Sequence, residues 1–75
     1  MYAYVLVNLN EMHEKSVLDY FTDMEEVEEG HILFGEWDLI LKIKMESPEA
    51  AASFVIEKVR SHEDVELTST LIVAR

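Results

Sequence analysis

WDLILKIKM, residues 37–45, alternates as a β-strand does. Trp37, Leu39, Leu41, Ile43 and Met45 fall on one side, and Asp38, Ile40, Lys42 and Lys44 on the other. Successive strand side chains point to opposite faces, so a period of two sends the first set into a core and leaves a mixed second face. Just beyond it, Ser47-Pro48-Glu49 is a helix start. Serine supplies an N-cap oxygen, proline suits a first helical position whose N–H would be unsatisfied anyway, and the acid favours the positive end of the helix dipole. The helix opened there runs to Arg60, with Ala51, Phe54, Val55 and Val59 on its inner stripe and Lys58 and Arg60 near its C-terminal end.

Working outward, Gly35-Glu36 reads as a tight turn, because glycine tolerates the positive φ such turns require. Residues 25–34 (EEVEEGHILF) form the strand before it, beginning near Val27, and residues 2–9 (YAYVLVNL) are β-branched and aromatic, a first strand. Between these two, residues 11–23 suit an amphipathic helix. Asn10 is its candidate N-cap, Val17, Leu18, Phe21 and Met24 form its apolar stripe, and Glu11 and Lys15 make an i,i+4 pair on the far side. A turn over residues 62–64 leads into a last strand, residues 65–74 (VELTSTLIVA). The order strand–helix–strand–strand–helix–strand predicts an α+β fold: a ferredoxin-like βαββαβ sandwich in which one four-stranded antiparallel sheet carries both helices on one face.

The 75 residues suffice for one domain, residues 1–75, of a size that leaves a monomer marginally stable. Cysteine is absent, which removes disulfides and thiolate chemistry, so association is the expected staple. The net charge is −10, with half of the 16 acidic residues between Glu11 and Glu29, and six scattered basic residues offer no footprint for phosphates. Direct nucleic-acid binding is therefore not expected. No apolar run reaches a membrane span and the N-terminus lacks a signal-peptide pattern, which leads us to expect a soluble, cytoplasmic protein.

The second face of the sheet breaks the usual polar alternation. The first strand is apolar on both parities, with Ala3, Val5, Val7 and Leu9 on one and Tyr2, Tyr4 and Leu6 on the other. The last strand sets Leu67, Leu71 and Val73 against Ile72 and Ala74. Strands apolar on both sides are buried on both sides, and no third layer is available. A two-fold homodimer joined sheet to sheet is the economical answer.

No catalytic constellation stands out, so no enzyme activity, metal or cofactor is expected. His13 and His62 read as surface residues, and His31, sharing parity with Val27 and Leu33, as a packed strand histidine. Two segments are different. Gly35-Glu36-Trp37-Asp38 sets a large aromatic and a charge at a strand start. Thr68-Ser69-Thr70 places three hydroxyls on both faces of the last strand, which suits a ligand carrying an ammonium and a carboxylate.

These segments resemble the Lrp/AsnC ligand-binding domain (the RAM domain, for regulation of amino-acid metabolism). Gly35-Glu36-Trp37-Asp38-Leu39-Ile40 is similar to its Gly-x-aromatic-Asp-apolar-apolar signature. Thr68-Ser69-Thr70-Leu71-Ile72-Val73 is similar to its closing strand. Ala3-Tyr4-Val5-Leu6-Val7 and Glu25-Glu26-Val27-Glu28-Glu29 also match, so the resemblance covers nearly the whole chain. It implies a non-catalytic sensing module of a transcription regulator that dimerises through its sheets, with dimers assembling into octamer-like rings. It also implies a small effector, typically an amino acid, bound between dimers near Gly35, Glu36, Trp37, Asp38, Thr68, Ser69 and Thr70. On that resemblance Asp38 would accept from a ligand ammonium, backbone groups at Gly35 would meet the carboxylate, and the hydroxyls would complete the set. Full members carry an N-terminal helix-turn-helix domain, whereas this chain opens on the first strand of the sensor. It is therefore expected to act in trans, by co-assembly with full-length relatives or by buffering an amino acid. Two rival readings share the architecture: an ACT-like amino-acid-binding module and a dimeric α+β-barrel oxygenase or isomerase.

Overall fold

The structure, a computed structural model, describes residues 1–75. Its elements are β1 (Tyr2–Leu9), α1 (Glu14–Thr22), β2 (Val27–Ile32), β3 (Leu39–Lys44), α2 (Pro48–Phe54), a π-helical turn (Val55–Val59) and β4 (Val65–Ile72). All pairings are antiparallel within one sheet of order β2-β3-β1-β4. Each helical crossover thus steps over one strand, which is the ferredoxin-like arrangement the sequence predicts.

Three cross-strand pairs form the centre: Ala3 with Ile43, Val5 with Leu41, and Val7 with Leu39. All six are fully buried. The helices close over them with Val17 and Phe21 from α1, Ala51 and Phe54 from α2, and Val55 and Val59 from the π turn. The 13 buried residues are all apolar, so no side chain in this core has a desolvated polar group to satisfy. Ser47 caps α2 as expected, its Oγ accepting from the Ala50 N–H at 3.1 Å.

Several local expectations change. Asn10 does not cap α1. Its backbone N–H donates to the Asp64 carbonyl at 2.9 Å and its Nδ2 to the Glu63 carbonyl at 3.2 Å, so it clamps the end of β1 to the turn before β4. The helix opens only after His13, with no side-chain cap. Lys15 pairs with Asp19 rather than Glu11, at 3.0 Å and in the open, where such pairs contribute a few tenths of a kcal/mol. The second helix is not α-helical to Arg60, because over Val55–Val59 it widens and the Arg60 N–H donates to Val55 O at 2.7 Å.

Two histidines also depart from expectation. A β-bulge in β2 pairs Val27 with Ile43 but Glu29 with Lys42, so the parity of the strand switches at Glu28. Gly30 then faces the helices and His31 faces outward, exposed, 3.8 Å from Glu29. His62, expected on the surface, is half-buried edge-on against Tyr20 at 4.9 Å and beside Phe21 at 5.6 Å. Its Nδ1 accepts from the Asp64 N–H at 3.1 Å, which fixes the turn.

The face away from the helices carries no layer. Tyr4 lies between Lys42 and Leu71, Leu6 between Ile40 and Ser69, and Asn8 opposite Leu67. Its β1–β4 half is mostly apolar, interrupted by Asn8 and Ser69. Its β2–β3 half carries Glu29, His31, Lys42 and Lys44, with the Lys42 ammonium 4.6 Å from the Tyr2 ring centre.

α1 packs tightly against the sheet at Gly30: a Cβ there would meet Leu18 Cδ1 at 2.8 Å and both Leu41 and Thr22 methyls at 3.0 Å. Gly30→Ala is expected to destabilise by about 1–3 kcal/mol through overpacking. Urea unfolding followed by circular dichroism measures it, and an unchanged midpoint would show that α1 lies further from the sheet.

Candidate functional site

The hairpin between β2 and β3 turns on Gly35, whose φ of 135° suits glycine and strains other residues. Phe34 and Glu36 beside it are exposed and Trp37 is half-buried. Asp38 binds the hairpin to the sheet through three hydrogen bonds. Its N–H donates to Val7 O at 2.9 Å, its carbonyl accepts from Leu33 N–H at 2.8 Å, and its Oδ2 accepts from Leu9 N–H at 2.7 Å. The side chain thereby extends the β1–β3 ladder past the last backbone pair. Oδ1 has no such donor within the chain and remains available to an outside group.

The three hydroxyls divide between the faces. Thr68 and Thr70 pair with Val7 and Val5 and point to the helix side, whereas Ser69 pairs with Leu6 on the open face. Thr68 and Thr70 line an open cleft of about 310 Å³ between the second helix and β4. Pro48, Ala52, Val55 and Ile56 form its helical wall, Ile72 closes its end, and Arg60 stands at its rim. Neither threonine hydroxyl makes a hydrogen bond within the chain, unlike Ser16, Thr22, Ser47 and Ser61.

The seven residues singled out from the sequence are therefore not one pocket in a single copy. None of Gly35, Glu36, Trp37 and Asp38 lines the cleft. In register, Thr68 lies across β1 from Leu39, two strand spacings or about 10 Å away. Sequence reasoning missed the helical wall and Arg60. Pro48, Ala52, Ile56 and Arg60 recur every fourth residue, a pattern present in the sequence but not read there, where only the inner stripe was named. A second depression, lined by Glu26, Lys44, Met45, Glu46 and Ala50, brings two carboxylates and one ammonium together but has no hydroxyl. No group of three or more His, Asp or Glu side chains is placed to hold a metal ion, and no helix is long and apolar enough to cross a membrane.

The family model of the Lrp/AsnC ligand binding domain matches residues 2–75. The chain belongs to this family. An uncharacterised HTH-type transcriptional regulator of Pyrococcus furiosus is 33% identical over 73 residues, which cover 93% of this chain and 49% of that one. The crystal structure of FFRP-DM1 superposes with a TM-score of 0.90 at 30% identity, covering 96% of each chain. A transcriptional regulator of Neisseria meningitidis, solved as its L-Met complex, superposes with a TM-score of 0.85 over 99% of this chain and 49% of that one; at 21% identity this likeness speaks to the fold. The chain spans about half the length of the curated relatives it matches. Membership favours the Lrp/AsnC reading over the ACT-like module and the α+β-barrel oxygenase or isomerase. The family is a ligand-binding domain, and the curated relatives that carry it are HTH-type transcriptional regulators.

Removing the Asp38 carboxylate orphans the partly buried Leu9 N–H, at a cost of about 1–3 kcal/mol. Asp38→Ala is expected to lose that much stability and Asp38→Asn, which keeps an acceptor oxygen, to recover most of it. Equal losses in urea unfolding for both variants would show that the negative charge, not the acceptor, matters.

Proposed function

We propose that this Lrp/AsnC domain is a non-catalytic amino-acid sensor whose effector binds between copies and thereby controls assembly. The observation that carries this reading is the separation of the site's two halves. One copy offers hydroxyls in a cleft beside β4 and, on the far side of β1, a hairpin with an unengaged Asp38 oxygen. A ligand that touches both halves has to bridge two copies. Such a ligand binds the assembled form better than the dissociated one, so it shifts the equilibrium by mass action. In this arrangement Asp38 Oδ1 accepts from the ligand ammonium, backbone groups at Gly35 and the hydroxyls of Thr68 and Thr70 complete the contacts, and Ser69 belongs to the sheet-to-sheet dimer contact. The methionine complex of the Neisseria regulator supports an amino acid as the effector class.

The dimer itself forms through the open face, where Tyr2, Tyr4, Leu6, Ile40, Leu67 and Leu71 need a partner, and dimers then close into a ring. A longer relative that keeps this surface would pair with it in the same way, and action in trans on such a relative, in the cytoplasm, is part of this reading.

Leu6 sits at the centre of the open face. Leu6→Glu is expected to give a folded monomer by light scattering at micromolar concentration, whereas the unaltered chain has at least the mass of a dimer. A dimeric Leu6→Glu would place the contact elsewhere. With a pool of the twenty amino acids, the mass of the unaltered chain is expected to shift beyond that of a dimer, and ligand-independent mass would remove the effector-gated reading.

A further inference from the structure

Phe34, in the β2–β3 hairpin, is fully exposed. Single apolar residues on a surface are ordinary, but this one stands on a stiff mount. Gly35 sets the turn with its positive φ, and the three hydrogen bonds of Asp38 tie the hairpin to the sheet. An aromatic held out in water by a rigid support loses little freedom on docking, which is the property of a binding anchor. Two residues on, Glu36 is exposed and takes part in none of the three ion pairs.

Complementary features lie at the other flank of the sheet. The cleft beside β4 has an aliphatic wall that includes Ala52, Val55 and Ile56, and Ile56 is 59% exposed. Its volume of about 310 Å³ leaves room for an aromatic ring. Arg60 at its rim is likewise outside every ion pair, and no acid lines the cleft, in a chain of 16 acidic and six basic residues. The spacing also matches. Ile56 and Arg60 are one helical turn apart, about 6 Å along the axis. Phe34 and Glu36 are two residues apart, a span of at most about 7 Å. Within one copy the two sets are held apart, because the hairpin continues β3 and the cleft lies beyond β1.

We infer that Phe34 of one dimer seats on Ala52, Val55 and Ile56 of the next, with Glu36 meeting Arg60, and that this pair of contacts selects which copies share a ring. The inference rests on the assembly of dimers in the reading above and names the surfaces that join them. Hairpin and cleft are different surfaces, so the contact is heterologous and propagates from dimer to dimer until it closes. The aromatic supplies the attraction. The charges set register and partner, since a copy with an acid at the rim, or a base on the hairpin, meets its own sign. The hydroxyls of Thr68 and Thr70, on the strand side of the cleft, take no part and are left to the effector.

Sedimentation velocity over a range of concentrations, with and without the pool of twenty amino acids, tests it by the strength of the step beyond the dimer. Phe34→Ala should weaken that step about 10- to 100-fold, the scale of a lost aromatic anchor. Glu36→Arg and Arg60→Glu should each weaken it about 3- to 10-fold, as a rim charge does. The double variant Glu36→Arg/Arg60→Glu should recover, and so should a mixture of the two single variants, each supplying the charge the other lacks. All three residues are exposed, so the variants fold, which circular dichroism checks. If Phe34→Ala assembles as the unaltered chain does while mass still responds to amino acids, this inference falls and the sensing reading stands. Single charge variants that weaken assembly without recovery in the double variant or the mixture overturn the pairing of Glu36 with Arg60. If the variants weaken an assembly that is indifferent to amino acids, the inference stands and the effector-gated reading falls. A chain that never exceeds a dimer sinks both.

Discussion

The pairing of β1 with β3 at the centre of the sheet is the constraint on which everything else is arranged. Val5 against Leu41, flanked by Ala3 with Ile43 and Val7 with Leu39, gives both helices a fully apolar surface to close upon. Because side chains alternate across a strand, the same pairing commits Tyr2, Tyr4, Leu6 and Ile40 to the opposite face. A one-residue slip would exchange the two faces entirely. The register that buries the core therefore also creates the surface that needs a partner. In a chain of 75 residues, the stability missing from a single core and the tendency to associate have one structural origin.

The polar groups follow the same frame. Asp38 continues the β1–β3 ladder with its side chain, which positions the hairpin, and Asn10 with His62 fixes the turn that starts β4. Where β4 begins decides which threonines face the helix. The two halves of the candidate site hang from opposite flanks of β1, so the strand that organises the core also keeps them apart within one copy. In the proposed arrangement, association brings the two halves together.

Much of this was legible in the sequence, for reasons that are local. Residues 37–45 announce their period, Ser47-Pro48-Glu49 caps a helix by chemistry that acts within one turn, and Gly35 marks a turn by its conformational freedom. The apolar parity of β1 was enough to expect a partner for the sheet. What escaped depends on distant contacts. Asn10 is as good a cap as the carbonyls of Glu63 and Asp64 are good acceptors, and the sequence does not say which is nearer. His31 changed sides because a bulge three residues earlier reversed the alternation, and no residue type near Glu28 demands a bulge. Arg60 escaped because its place depends on the π turn, which ordinary helical counting does not anticipate. Thr68 and Thr70 were found by chemical type, but their separation from Asp38 needed the strand order.

The bulge in β2 has a consequence for how far the molecule can grow. β2 is one edge of the sheet, bent at Glu28 and bordered by Glu25, Glu26 and Glu29. A kinked and negatively charged border is a poor template for another strand. β4, irregular only near Glu66 at its start, offers the longer regular edge, and a unit with a single joinable edge cannot extend its sheet beyond one edge-to-edge pair. Endless ribbons, the hazard of small sheet proteins rich in valine and isoleucine, need two such edges, and this chain has blunted one of them.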